Sequence, residues 1–432
     1  MNLCSFNRRT ATTARPKWPA LVLAGGLCVA QIHRARAGEN GFSARQSYYT
    51  EDNNRIKVET QSALFKCNIT PRIAVNGEFV HDAISGATPT GVPGPGHIDR
   101  TITTPGATRV PMLHMQDERF AGNASVELTL GRHHFTPQFS YSEEGDYVSR
   151  GAAMTYALDL NEKNTTLIFG WSHNWDTVYS DSRRQDKFNK EADEFIVGVN
   201  QLLGPKTLLT VNFVYGDSQG YLNDPYRRFV FRNVPDALDE SLVMNPYAPT
   251  DFPEQRPDNR QKEVVFVRLT QFITPLHASV EGSYRFYHDS WDTDSHTVNL
   301  TWFQKLGKRV VVAPMFRYYW QTAVDFYYPS LPGAPNSVIP AGEYVLKQPS
   351  DPGYLVEEVF QNPVTPAYYS ADYRLSALQT FTCGVSVNVK ATDWLSFDAS
   401  YERYIMEGLD HQTDVSAYPQ ADMFTIGARL KF

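Results

Sequence analysis

The last twelve residues read Ala421-Asp422-Met423-Phe424-Thr425-Ile426-Gly427-Ala428-Arg429-Leu430-Lys431-Phe432. Phe424, Ile426, Leu430 and Phe432 fall on one side, and small, polar or basic residues fall on the other. This period of two is typical of a β-strand with one apolar face and one polar face. Taken alone, the stretch predicts either the edge strand of a soluble sandwich or a strand of a barrel.

The pattern repeats along the chain. Sixteen strand-like segments, most of about 10 to 15 residues, run from Phe42 to the last strand. Short turns alternate with longer connections, and three long inserts interrupt the pattern at residues 85–111, 218–260 and 325–370. Both termini fall on the side of the short turns. These features predict an all-β fold, a closed antiparallel transmembrane β-barrel of about 16 strands formed by residues 38–432, with short periplasmic turns and long extracellular loops.

Two faces can be followed in single strands. Val312, Phe316 and Trp320 alternate with Ala313, Arg317 and Tyr319, for example. A ring of sixteen strands is too wide for side chains to fill, so the polar row is expected to face a hydrated lumen and the apolar row to face lipid. The charged candidates for the lumen are Arg268, Glu281, Arg285, Arg317, Asp398, Glu402 and Arg429. Pro137 and Pro314 lie inside predicted strands and are expected to mark bulges.

Residues 1–37 have the features of a cleaved signal peptide. A basic front precedes a short apolar centre, and Ala35-Arg36-Ala37 forms an A-x-A cleavage site. The predicted location is therefore the outer membrane of a Gram-negative bacterium. There an aromatic last residue looks like the signal of outer-membrane barrels that the insertion machinery reads, here formed by Phe424, Ile426, Leu430 and Phe432. The expected partners are outer-membrane lipid and that machinery.

Composition narrows the function classes. The chain contains 24 Tyr, 25 Phe and 7 Trp, as aromatic girdles at two membrane interfaces would require. Its net charge of -7 argues against a nucleic-acid partner. Outside the signal segment only Cys67 and Cys383 remain. Cys383 fits an outward apolar row, which favours a buried thiol over a disulfide.

Several blocks of the sequence carry a family resemblance, namely His81 to Pro89, Tyr284 to Thr297, Asp325 to Pro329, Tyr369 to Ser376 and Tyr401 to Tyr404. In these blocks the chain resembles the bacterial outer-membrane barrels grouped as domain of unknown function 3570. The resemblance spans essentially the whole chain after the signal segment. It implies a location and an architecture, and it implies no activity and no functional residues.

One loop concentrates groups that bind metals: His288, Asp289, Asp292, Asp294 and His296. Imidazole and carboxylate ligands could hold a divalent ion there, with Asp82, Asp325 and Asp372 joining at the outer rim if the loops fold inward. A polar loop that caps a hairpin explains the same residues. No metal or other cofactor is otherwise indicated.

The function expected from the sequence is a porin-like channel for small hydrophilic or ionic solutes. The lumen charges could form the screen of a diffusion pore, or they could pair with one another or with an inward loop and plug the lumen. The alternative is a surface anchor that docks a periplasmic or surface partner protein through its long loops. Catalysis is not expected, because no nucleophile, base and orienting group occur in a recognisable motif.

Overall fold

The structure, a computed structural model, describes residues 40–89, 112–180, 186–232, 251–350 and 354–432, so the signal segment predicted at 1–37 lies outside the described residues. Sixteen strands form a closed barrel in which neighbours pair antiparallel, as predicted. They are β1 (Gly41–Glu51), β2 (Lys57–Thr70), β3 (Ile73–Pro89), β4 (Met112–Leu130), β5 (His133–Glu143), β6 (Tyr147–Leu160), β7 (Thr165–Tyr179), β8 (Lys187–Gly204), β9 (Thr207–Gly220), β12 (Asn259–Ile273), β13 (Ala278–Asp289), β14 (Asp294–Leu306), β15 (Val310–Gln321), β19 (Leu378–Lys390), β20 (Leu395–Gly408) and β21 (Gln420–Lys431).

Five shorter strands lie in two outer connections: β10 (Arg228–Arg232), β11 (Asp251–Pro253), β16 (Leu331–Pro332), β17 (Gly342–Ser350) and β18 (Tyr354–Asn362). They form a three-stranded sheet in the order β11-β10-β16 and a separate hairpin of β17 and β18. Among the residues that the structure describes, no helix is long and apolar enough to cross a membrane.

The ring closes where β21 pairs with β1. Tyr48 lies opposite Phe424 and Phe42 lies opposite Leu430, so the apolar row of the last strand continues onto the first. On the other face the hydroxyls of Ser47 and Thr425 are hydrogen-bonded at 2.8 Å. The ladder therefore leaves no unpaired edge between the first and last strands, which is what a barrel in lipid requires.

The outer face carries the apolar side chains. Directly paired residues share a face, and the exposed large apolar residues follow the outward rows. Examples are Phe213, Leu269, Tyr284, Phe316, Tyr401, Phe424 and Ile426, each at least 40% exposed. On the inward face Arg45 pairs with Asp398 at 3.3 Å. Gly427 makes room for this pair, since a Cβ there would meet Asp398 oxygens at 2.8 Å.

The connections at the two ends of the barrel differ in length, as the sequence predicted. At one end the turns between strands contain two to four residues; at the other, residues 221–258 and 322–377 form long connections. The inserts have other bounds than predicted. β3 and β4 extend to Pro89 and from Met112, so the first insert shrinks to 90–111, outside the described residues. The third insert ends later than predicted, because the next barrel strand begins at Leu378.

The two prolines do not produce the expected bulges. Pro137 and Pro314 lie within β5 and β15 and keep partners on one side, Met154 and Val385. On the other side the pairing is interrupted and then resumes in the same register. A proline removes one ladder hydrogen bond, and here the strand tolerates that loss without an extra residue.

Cys67 and Cys383 are not joined to each other by a disulfide. The prediction that the Cys383 thiol is buried is wrong, because Cys383 is exposed on the surface of this chain. It lies opposite Phe316 on the outward row of β19. Its apolar surroundings are therefore those of the outer face.

Candidate functional site

The seven predicted lumen residues lie on inward rows of the barrel. Arg268, Glu281, Arg285 and Arg317 belong to β12, β13 and β15, where they alternate with the exposed residues Leu269, Tyr284 and Phe316. Asp398, Glu402 and Arg429 belong to the inward rows of β20 and β21, which alternate with Tyr401 and Phe424. A wall lined in this way presents charges of both signs to the barrel interior.

Two long connections fold together at the end of the barrel opposite the short turns. We call residues 221–232, 251–258, 322–340 and 362–377 the outer cap. The cap has an aromatic core in which Phe229 and Phe231 are almost fully buried against Tyr369. β10 brings the two connections together, since it pairs antiparallel with β11 and parallel with β16. A parallel pair between distant segments is a tertiary contact that neither segment specifies locally.

Asp372 is the centre of the polar contacts in the cap. Its carboxylate is 1% exposed and accepts hydrogen bonds from the guanidinium of Arg256 at 2.9 Å and from Arg374 Nε at 2.9 Å. Arg227 Nε lies 3.7 Å away. Beside it, Glu254 accepts from Ser370 Oγ at 2.5 Å. A buried carboxylate with several guanidinium partners is the kind of group whose removal leaves uncompensated charge.

The cap is attached to connections spread around the ring. Tyr226 donates a hydrogen bond to Asp146, in the connection between β5 and β6. Tyr373 packs edge-on against Tyr418, in the connection between β20 and β21, at 5.8 Å between ring centroids. Trp291, in the connection between β13 and β14, packs on Phe326.

One further cluster shows that the cap reaches inward. Tyr373 and Tyr418 belong to a buried cluster that packs against Tyr319 and Met406, which lie on the inward rows of β15 and β20. Next to this cluster and outside the cap, Arg55 donates to the carbonyls of Ser416 and Ala417. The described part of the cap therefore extends from the rim to the wall of the lumen.

Burial and charge act in opposite directions on the carboxylates of the cap. Burial alone would raise the pKa of Asp372, but Arg227, Arg374 and Arg256 outweigh it and hold the pKa of this carboxyl well below its usual range. For Glu254 burial prevails over Arg256 and raises the pKa. Burial likewise raises the pKa of Asp146 against the hydrogen bond from Tyr226.

The directions of these pKa shifts predict how the stability of the cap changes as the pH falls. The ionised Asp372 stabilises the cap at every pH above its ordinary pKa, and this contribution is lost only as the pH falls through the lowered value. The cost of keeping Glu254 and Asp146 ionised disappears as the pH falls through their raised values. We therefore expect the cap to be no less stable at about pH 4 than at pH 7, so that the protection of its backbone amides from hydrogen exchange, relative to the intrinsic rate at each pH, does not decrease. A decrease in that protection across the interval would contradict these directions of the pKa shifts.

The predicted metal ligands do not meet at one point. His288 and His296 lie on the outward row, where His288 Nδ1 is 2.9 Å from Asp294 and His296 Nδ1 is 2.7 Å from the Tyr284 hydroxyl. Asp289 lies on the inward side, where it binds Arg260 and accepts from Tyr287 at 2.6 Å. The structure thus separates the imidazoles from this carboxylate.

The remaining rim candidates are dispersed as well. Asp292 lies in the turn after Asp289, in a left-handed conformation with φ of 65°. Asp325 lies close to Asp292, and burial raises the pKa of Asp325. Asp82 pairs with Arg119 on the inward side, and Asp372 lies in the cap.

Sequence reasoning missed a group of carboxylates at the mouth. Asp117, Glu144 and Asp146 place one oxygen each within 4.8 Å of one another. Asp117 is on β4, whereas the other two follow β5, so only the pairing of these strands brings them together. The cap residues Glu254 and Arg256 were missed for the same reason, since each lies 116 residues from its partner, Ser370 and Asp372 respectively.

Comparison with known proteins gave one family and several structures. Residues 18–191 and 178–427 match the model of a family described as "Protein of unknown function (DUF3570)". Curated protein sequences gave no match.

Among solved structures, a bacterial polysaccharide outer membrane secretin is 8% identical with a TM-score of 0.45, covering 91% of this chain and 98% of that chain. Pseudomonas aeruginosa OccK5 (OpdH) is 7% identical with a TM-score of 0.40, over 91% and 98% of the two chains. The CymD monoaromatic hydrocarbon channel is 8% identical with a TM-score of 0.39, over 92% and 89%.

Proposed function

The chain belongs to the DUF3570 family, whose function is unknown, so we propose a function from its own residues: a porin-like channel that passes small hydrophilic or ionic solutes through the barrel lumen. Polar inward rows in a ring of sixteen strands carry this proposal. Such a ring is wider than its side chains can fill, and rows of Arg, Glu, Asp, Ser and Thr are stable there only in contact with water. A hydrated lumen is the path that a polar solute needs.

The outer cap gives this channel a narrowed entrance. Its contacts with Asp146, Trp291 and Tyr418 attach it to the rim at separate points, and the cluster that contains Tyr373 packs against the lumen wall. The long connections are therefore used within the molecule, and their inward contacts support a role in permeation over a role in docking a partner. Solutes would enter around the cap or after it moves.

The same proposal includes the setting of the channel. The exposed outward rows suit the hydrocarbon region of an outer membrane, and the short turns would face the periplasm. Phe424, Ile426 and Leu430 are exposed on β21, where the barrel insertion machinery would read them together with Phe432. We propose transport without catalysis, in keeping with the sequence analysis.

Reconstitution into planar lipid bilayers tests the proposal. We compare the intact barrel with a variant in which a short Gly-Ser linker replaces residues 327–370. Stepwise ohmic currents are expected from both, with the larger steps from the trimmed variant because part of the cap is gone. Two folded barrels that insert and pass no current would refute the channel.

A further inference from the structure

Three arginines on one side of the lumen differ from most other inward cations of the barrel. Arg268, Arg285 and Arg317 lie on the inward rows of β12, β13 and β15, and Arg285 and Arg317 are exposed. Most other inward cations of the barrel have carboxylate partners, for example Lys66 with Glu127 and Arg45 with Asp398. None of the three forms an ion pair with a carboxylate of the described residues. Their charge is therefore available to a solute.

The register places these arginines in one row. Arg268 lies directly opposite Ser283, Ser283 opposite Asn299, and Asn299 opposite Arg317. Asn299 Nδ2 donates a hydrogen bond to Ser283 Oγ at 3.1 Å. These two short side chains therefore lie between Arg268 and Arg317 in the row. Thr382 continues the row beyond Arg317. We call Arg268, Ser283, Asn299, Arg317 and Thr382 the donor row.

Arg285 lies two residues from Ser283 and above the middle of the donor row. Its direct partners are Phe266 and Thr297. With strands about 4.8 Å apart and about 3.4 Å per residue, its Cα lies about 8 Å from that of Arg268 and about 12 Å from that of Arg317. Arginine side chains are long enough for all three guanidinium groups to reach one small solute.

Among the described residues, the carboxylates on the same wall form no ion pair with these three arginines. Glu281 lies two residues beyond Ser283 and accepts a hydrogen bond from Thr270 at 3.1 Å. Glu402 is on β20 and lies against Gly384. The acidic side chains Asp82 and Asp117 are on β3 and β4, across the ring. One wall of the described barrel therefore offers guanidinium groups without carboxylate partners together with hydroxyl and amide donors, while on the facing wall Asp82 is paired with Arg119.

We propose that the donor row with Arg285 is a binding step for small oxyanions, carboxylates or phosphate, on the permeation path, so that the channel prefers anions to cations. Guanidinium groups bind carboxylate and phosphate through two parallel hydrogen bonds, and hydroxyl and amide groups add single ones. Partial exposure keeps each contact weak enough for release, as conduction requires. This inference rests on the proposed channel function and adds its substrate class.

The test measures zero-current potentials across bilayers in a potassium chloride gradient. The variant Arg268→Gln/Arg285→Gln/Arg317→Gln is compared with the unchanged barrel, and Arg45→Gln/Lys66→Gln/Arg429→Gln is the matched control, because it removes three inward cations elsewhere. We expect an anion-selective barrel whose anion-to-cation permeability ratio falls several-fold in the first variant and much less in the control. Millimolar inorganic phosphate or succinate, added separately, should reduce the chloride current unless the donor-row arginines are replaced.

Every other outcome either overturns the proposed anion step or restricts its ligand. A conducting barrel that prefers cations, or two variants that change the permeability ratio equally, would overturn the anion step and leave the channel standing. Folded barrels that pass no current would overturn both. Reduction by phosphate but not by succinate would restrict the ligand to phosphate, and the reverse would restrict it to carboxylates.

Discussion

Replacing Asp372 with asparagine is expected to open the outer mouth and to raise the single-channel conductance several-fold. The substitution keeps the shape of the side chain and removes the negative charge that faces Arg227, Arg256 and Arg374. Arg256 would keep Glu254, and Arg227 and Arg374 would share Asp224, so three guanidinium groups would remain close together with two carboxylates. Arg227 and Arg256 are at most 10% exposed, so little water would screen the excess positive charge. Breaking a buried pair in this way costs about 3–5 kcal/mol, enough to release one element of a cap.

Asp393→Asn provides the matched control. Asp393 lies in a turn at the opposite end of the barrel, is 97% exposed and pairs with Lys390. An exposed pair of this kind contributes little, so the control should conduct like the unchanged barrel. If Asp372→Asn folds and its current steps equal those of the control, the cap does not govern the entrance.

A second large effect is expected on the outer face. Ile426→Arg places a charge among lipid tails, because Ile426 lies on the exposed row of β21. Near the middle of a bilayer such a substitution destabilises a barrel by about 2–4 kcal/mol. We expect a lower midpoint of urea unfolding in lipid vesicles and a smaller fraction of folded, heat-modifiable barrel on gels.

The neighbouring substitution Thr425→Arg serves as its control. Thr425 faces the lumen and shares a hydrogen bond with Ser47, so the new charge stays in water and only that bond is lost. The urea midpoint should therefore change much less than in Ile426→Arg. Equal midpoints for the two variants would mean that β21 has no lipid-facing side.

The barrel was predictable from sequence because its strands are specified locally. Phe424, Ile426 and Leu430 repeat at a period of two, and Asn53, in the turn after β1, has the positive φ of 59° that its residue type tolerates. Neighbouring strands in the ring are mostly neighbours in sequence. Each pairing therefore depends on two adjacent patterns and the connection between them.

The outer cap was not predictable in the same way. β10 pairs with β16, which lies about 100 residues later in the chain, and Asp372 accepts a hydrogen bond from Arg256, which is 116 residues away. No periodicity marks such contacts. Asp372 was considered as a metal ligand at the outer rim, whereas in the structure it is the N-cap of a short 3-10 turn and accepts a hydrogen bond from the Arg374 amide. The metal candidates show a similar limit, since proximity in one loop did not reveal that His288 and Asp289 face opposite ways.

The central claim is that this closed barrel has its apolar rows in lipid and its charged rows in a hydrated lumen. Spin labels on single cysteines at residues 424, 425 and 426, introduced after Cys67→Ser and Cys383→Ser, test it directly in lipid vesicles. Collision rates with oxygen and with a water-soluble nickel chelate report whether each label lies in lipid or in water. We expect lipid at residues 424 and 426 and water at residue 425. Lipid or water at all three positions, or the inverse alternation, would contradict it.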